Sequence, residues 1–234
     1  MAEPRSPARL PITALAVLTL AVCACRNRTD LAPRPQAPRP PIVLISIDTL
    51  RSDHLPAWSG RTDLATPAID RLVNDGLLFE RAFAEVPLTL PSHTSILTGL
   101  LPPAHGVRDN IGFAVDAART PMLQQRLHDL GYATGAAVSA EVLARRTGIA
   151  AGFDLYDEPS AVGSSKRGTV STAERPGGEA VAAASRFLDT AAARPFFLFL
   201  HLYEPHAPYR PPEPYRSRYA DPYDGEIATA DDLV

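Results

Sequence analysis

The 234-residue sequence has only two cysteines, and both precede residue 26. Beyond Cys25 the chain therefore offers no disulfide, no thiolate metal site and no cysteine nucleophile. It lacks a basic surplus as well. Its 23 lysines and arginines stand against 26 acidic residues, for a net charge of −3, which excludes the phosphate-neutralising face of a nucleic-acid binder. No Gly-x-Ser-x-Gly occurs, so the nucleophile elbow of the α/β-hydrolases is missing, and no internal repeat is evident. The longest apolar run, 10–25, is broken by Pro11, Thr13 and Thr19 and falls short of the roughly 20 residues that cross a bilayer.

What that run does carry is an export pattern. Arg5 and Arg9 precede it, and small residues lead into Cys25 in "AVCAC". Residues 1–25 resemble a bacterial lipoprotein signal with Cys25 as the acylated residue; an ordinary cleaved signal or an uncleaved anchor is the alternative. The expectation is an exported bacterial protein, periplasmic or membrane-anchored through an N-terminal lipid. The 24 prolines cluster, and "LAPRPQAPRPP" within 26–41 reads as an extended spacer. Residues 42–234 form the folded part.

There, apolar strands alternate with capped helices. "PIVLISIDTL" (41–50) reads as a buried parallel strand with Asp48 at its carboxyl end. "TPAIDRLVNDG" (66–76) has Thr66 as N-cap, Pro67 at the first helical position, Ile69, Leu72 and Val73 on one face and Gly76 as stop. "LLFERAFAEV" reads as extended. A short helix follows from Pro91 to Leu97, closed by Gly99. A helix over 119–131, a small-residue strand in "YATGAAVSA", a mobile loop over 158–176, an alanine-rich helix over 178–193 and the strand "PFFLFLHLY" (195–203) complete the pattern. The fold class is α/β, with a largely parallel sheet flanked by helices.

In such sheets the working residues gather beyond the carboxyl ends of the strands. Asp48, the Thr89 to His93 segment, and His201 with His206 share that address. A strand-end aspartate suits a divalent cation, and a hydroxyl at a helix N-terminus sits where an anion is attracted. Together they make a site for a sulfate or phosphate ester, with a histidine to contact its oxygens or protonate a leaving group. Plainer roles stand beside these. Asp48 can cap a turn, Thr89 a helix, and Ser92 can bond within the first turn. His201 reads as a satisfied core histidine, and His105 as a support of its own loop. Ser92 and His93 point about 100° apart on a helix, so they are not a nucleophile and its base.

"PIVLISIDTLRSDHL", "TPAIDRLVNDGLLFERAFAEVPLTLPSHTSILTGLLPPAHGVRDN", "GFDLYDE" and "PFFLFLHLYEPHAPYRPP", in this order from about residue 41 onwards, resemble the N-terminal half of the sulfatase family in the alkaline phosphatase superfamily. The resemblance implies an alkaline-phosphatase-like fold and a metal-dependent hydrolase of sulfate or phosphate esters, small-molecule or glycan. By it, Asp48 matches the first-strand metal ligand, and Thr49 stands where many members have a second aspartate. The Cys/Ser-x-Pro-Ser-Arg motif, whose first residue becomes formylglycine, reads Thr89-Leu90-Pro91-Ser92-His93. Threonine does not undergo that conversion, but Thr89 matches the threonine nucleophile, also a metal ligand, of related phosphodiesterases and phosphoglycerol transferases. His93 replaces the stabilising arginine, and His206 corresponds to the histidine that contacts the ester oxygens. The "GKWHLG" segment of many sulfatases has no counterpart. The family's second-half Asp-His metal pair is absent up to Val234, so the resemblance implies a truncated or partial chain. An oxygen-rich site implies calcium, and an Asp-Thr plus Asp-His set zinc or manganese. The alternative function is an inactive anion- or glycan-binding exported lipoprotein.

Overall fold

The computed structural model describes residues 39–159, 174–191 and 193–234, and Pro40–Val234 forms one compact unit. The lipoprotein-type signal with Cys25, the proline-rich spacer up to residue 38 and most of the loop expected over 158–176 lie outside the described residues. Among the described residues no helix is long and apolar enough to cross a membrane.

Four parallel strands build the sheet: β1 (Ile42–Ile47), β2 (Ala133–Val138), β3 (Leu155–Asp157) and β4 (Phe196–Leu202), in the order β1-β4-β2-β3. The apolar runs in 41–50 and 195–203 thus become neighbours although about 150 residues separate them. Alternation along β4 sorts its side chains. Phe197 and Phe199 join one core with Leu90, Leu97 and Met122, while Leu198, Leu200 and Leu202 join a second core with Ala133, Ala137 and Phe187. Those two cores lie beneath α2 (Thr89–Thr98) and α4 (Gly177–Ala191) on opposite faces of the sheet. α4 approaches closely because its inner face is alanine and because Gly135 lacks a side chain: a Cβ there would lie 2.6 Å from the Phe187 ring.

Several expectations need correction. β1 is not a buried strand but an edge, paired only with β4 among the described residues, and Val43 is half exposed. A continuous apolar run does not distinguish the two positions. The first helix, α1 (Pro67–Asp75), forms as expected, yet Leu72 is exposed and the Thr66 side chain does not cap it. Asp231 of α5 (Pro222–Leu233) does so instead, accepting from the Ala68 and Ile69 N–H groups at 3.1 and 2.8 Å. Residues 77–86 form no strand, and Leu77, Phe79 and Phe83 are 87, 74 and 83% exposed. The helix expected over 119–131 is shorter, α3 (Leu123–Asp129), because Thr120 is held in a turn by the Asp116 carbonyl.

Candidate active site

The polypeptide leaves β1 at Asp48, whose own N–H donates to the Leu202 carbonyl at 3.0 Å and so extends the ladder one step. The next residue, Thr49, has φ 54, a left-handed conformation that a β-branched side chain rarely adopts. Its hydroxyl donates to the Pro205 carbonyl at 2.9 Å, and its own carbonyl accepts from the Tyr223 hydroxyl at 2.7 Å. The strained turn fixes the direction of Asp48 and ties it to the loop after β4. The Thr49 hydroxyl is thereby engaged with backbone.

Thr89 comes to the same point. α2 starts at Thr89 rather than at Pro91. Pro91 is tolerated because first-turn N–H groups have no partner inside a helix, so its missing N–H costs nothing there. The Leu90 N–H is satisfied by the Asn110 side chain at 2.8 Å. This first turn offers an anion mainly its dipole and the Thr89 hydroxyl, not a row of open amides. The hydroxyl, partly buried, donates to Asp48 Oδ2 at 3.1 Å.

One turn further along, His93 points inward, 5% exposed. Its Nδ1 donates to the Thr89 carbonyl at 2.7 Å, which leaves Nε2 to accept from the Ser46 hydroxyl at 2.8 Å. Burial, reinforced by the neighbouring His201, lowers the His93 pKa to about 4 against opposing pulls from the Thr89 carbonyl and Asp48, so the ring is neutral at pH 7. His93 therefore supports the Thr89 backbone from below and carries no cationic charge at that pH. Ser92 faces away into a groove of about 470 Å³ lined by Phe83, Ser95 and Ile96 among others. The two residues are separated as the helical geometry requires.

His201 completes the cluster, and sequence reasoning underrated it. It is fully buried, its ring meets His93 edge-on at 4.9 Å, and its Nε2 lies 3.6 Å from Asp48 Oδ2. Neither ring nitrogen has a hydrogen-bond partner, so this is not the satisfied core histidine expected. The signal was a polar residue interrupting each apolar strand: Ser46 in "IVLISI" and His201 in "FFLFLHL" are paired in register. Burial pushes the Asp48 carboxyl up, but His201, then His93 and the Thr89 hydroxyl, outweigh it, and the net direction is below the ordinary carboxylate value.

His206 is not in this cluster. It is partly exposed, stacked on Tyr203 at 4.3 Å, and its Nδ1 donates to the Ala207 carbonyl at 2.7 Å. It lines a cavity of about 540 Å³ with Tyr203, Glu204, Arg210 and Glu226; Asp48 and Thr89 do not line that cavity. His105 has the local role expected: its Nε2 meets the Ser95 hydroxyl at 3.0 Å and its Nδ1 accepts from the Val107 N–H at 3.1 Å.

For a divalent cation, the chain supplies the Asp48 carboxylate and the Thr89 hydroxyl side by side, with the orphaned His201 nitrogen next to them. Among the described residues there is no group of three or more His, Cys, Asp or Glu arranged to hold a metal. Asp48 and Thr89 supply two oxygen donors, and no complete metal site forms among the described residues.

The sulfatase family profile matches residues 40–234. Curated relatives include the steryl-sulfatase of Mus musculus, 37% identical over 94 residues, which cover 40% of this chain and 15% of that protein. Another is ectonucleotide pyrophosphatase/phosphodiesterase family member 3 of Rattus norvegicus, 38% identical over 81 residues, or 32% of this chain and 9% of that one. The chain thus spans a small part of these relatives. Among solved structures, a protein in the alkaline phosphatase superfamily from Vibrio parahaemolyticus superposes with a TM-score of 0.65 at 18% identity, covering 85% of this chain and 50% of the other.

Proposed function

Because the chain belongs to the sulfatase family, we propose that it hydrolyses a sulfate or phosphate ester with Thr89 as the attacking group. The observation that carries this reading is the 3.1 Å hydrogen bond from Thr89 Oγ1 to Asp48 Oδ2 at the carboxyl end of β1.

Asp48 is held ionised, so it orients the hydroxyl and receives its proton as attack begins. The bond from Thr89 Oγ1 to sulfur or phosphorus forms while the bond to the ester oxygen breaks. The departing alcohol oxygen takes a proton from solvent water, since His206 lies outside the Asp48–Thr89 cluster. Water then attacks the Thr89 ester and releases one proton to solvent, while Thr89 recovers its own from Asp48. Atoms and protons balance over the two steps, and the product is the alcohol with free sulfate or phosphate. A divalent cation bound by the Asp48 carboxylate and the Thr89 hydroxyl would lower the hydroxyl pKa and offset oxyanion charge. The fixed His93 and strained Thr49 keep the nucleophile and its base in place.

The adduct is the feature to look for. Rapid acid quench during turnover of an aryl sulfate or aryl phosphate, followed by peptide mass spectrometry, is expected to find the sulfo or phosphoryl group on Thr89; its appearance on Ser92 instead would sink the assignment. An anion- or glycan-binding protein without turnover is the second reading. It draws on the incomplete set of metal donors among the described residues and predicts calorimetric binding of inorganic sulfate with no ester cleavage. As to location, the N-terminal pattern supports export with acylation at Cys25, and radiolabelled palmitate incorporation that survives Cys25→Ser would contradict it.

A further inference from the structure

The loop after β4 borders the cavity of about 540 Å³ that Asp48 and Thr89 do not line. Three carboxylates line it: Glu174, Glu204 and, from α5, Glu226. None of them forms an ion pair among the described residues. Two arginines share the lining without neutralising them. Arg175 is bonded to Asp157, and Arg210 meets Glu226 through its backbone N–H at 2.6 Å, not through its guanidinium. Glu226 is the informative group, because it is only 6% exposed. One of its oxygens accepts from the Arg210 N–H, and the other has no hydrogen-bond partner among the described residues. Glu204 is divided in the same way: Oε1 accepts from the Gly177 N–H at 2.8 Å, and Oε2 is buried without a partner. Burial pushes the Glu226 carboxyl up against the pull of the Arg210 N–H, and Glu204 and Glu174 push it further. Like charges held together in a partly closed space favour a cation entering it.

The form of the site indicates which cation. Among the described residues no group of three or more acidic or histidine side chains is placed to hold a metal ion, so these carboxylates do not converge on a point. They border a volume instead, and about 540 Å³ suits a small organic molecule. Part of its wall is aromatic. Tyr203 stacks on His206 with ring centroids 4.3 Å apart, and its hydroxyl keeps its proton, pushed up to about 12 by burial and by Glu174. A carboxylate beside an aromatic face recognises an organic ammonium, the first by a charge-assisted hydrogen bond and the second through the negative face of the ring. We infer that this cavity binds the primary ammonium group of an organic ligand, with Glu226 as the anionic contact and Tyr203 as the aromatic one. The free Glu226 oxygen accepts one of the three ammonium N–H groups, and Glu204 and Glu174 add to the field. The inference stands apart from the ester reading, since neither Asp48 nor Thr89 takes part. One bond ties the two places together: Thr49, which follows Asp48, donates to the carbonyl of Pro205, which lies between Glu204 and His206 in the chain.

The test uses the full chain at neutral pH, with benzylammonium chloride as the probe and benzyl alcohol as its neutral counterpart of nearly the same shape. Calorimetry reads both affinities in the parent protein and in Glu226→Gln, whose amide oxygen still accepts from the Arg210 N–H. Benzylammonium is expected to bind at least roughly tenfold more tightly than the alcohol, and to lose roughly tenfold in Glu226→Gln while the alcohol is unaffected. Equal affinity for the amine and the alcohol overturns the inference, as does amine binding unchanged by Glu226→Gln. Absence of amine binding up to roughly 10 mM, the range expected of so small a probe, overturns it too. If Glu226→Gln fails to fold, Glu174→Gln at the exposed rim takes its place with an expected loss of roughly threefold, and no loss there counts against the site. The threonine nucleophile is judged separately, by its adduct.

Discussion

Asp224 and Asp48 are both carboxylates that the fold takes out of water, and their surroundings differ. Asp224 is held by His54 Nδ1 at 2.8 Å and by Arg61 through two nitrogens at 3.1 and 2.6 Å. Burial pushes it up, but Arg61 and His54 together hold it below the usual carboxylate range. That cluster joins the segment after β1 to α5, and among the described residues none of its buried side-chain polar atoms lacks a partner. Asp48 has one hydrogen bond from a hydroxyl and, at 3.6 Å, the buried His201 ring. A satisfied polar cluster stabilises, whereas a sparsely satisfied one at a strand end marks a candidate functional site.

The contrast is broken most sharply at Asp48. Asp48→Asn keeps the shape but removes the proton acceptor, and turnover of an aryl ester is expected to fall roughly a thousandfold, with a smaller change in melting temperature than Asp224→Asn causes. Equal turnover in Asp48→Asn would erase the distinction.

Next in size is an acid effect. His93 stays neutral in the folded state down to about pH 4, whereas an exposed imidazole in the unfolded chain takes its proton near 6.5. Between these values the unfolded state binds the extra proton, so stability rises with pH through that window and is level above it. The loss from pH 7 to 4 is on the order of 3 kcal/mol. Urea unfolding at several pH values should show it, and His93→Asn should flatten the curve between pH 4.5 and 6.5. An unchanged curve in that variant would place the acid sensitivity elsewhere.

Asp224→Asn comes third. Removing one partner of a fully buried ion pair costs about 3–5 kcal/mol, but Arg61 is a quarter exposed, so about 2 kcal/mol is expected in chemical denaturation. Turnover per folded molecule should be retained. Smallest is Phe83→Ser, at 83% exposed, with a change within about 0.5 kcal/mol; a larger loss would mean that residues 77–86 are covered.

The sequence carried the sheet and both oxygen donors, since apolar runs with an acidic or hydroxyl residue at their ends are local patterns. It carried less where partners are distant. The caps supplied by Asn110 to α2 and by Asp231 to α1 join residues 20 and more than 160 positions apart, and no local pattern marks them. The edge position of β1 and the exposure of Leu72 depend on what packs beside them. His201 was visible as a polar residue inside an apolar strand, but its lack of partners appears only once β1, β4 and α2 are assembled. His206 matched by motif, and its place beside Tyr203 rather than against Thr89 depends on the course of the loop after β4.

The central claim is that the Thr89 hydroxyl, oriented by Asp48, makes and breaks the bond to the ester. Turnover of aryl sulfate and aryl phosphodiester substrates by Thr89→Ala, alongside the parent protein and with melting curves of both, tests it most directly. The account predicts loss to background at an unchanged melting temperature; turnover retained by the alanine variant would contradict it.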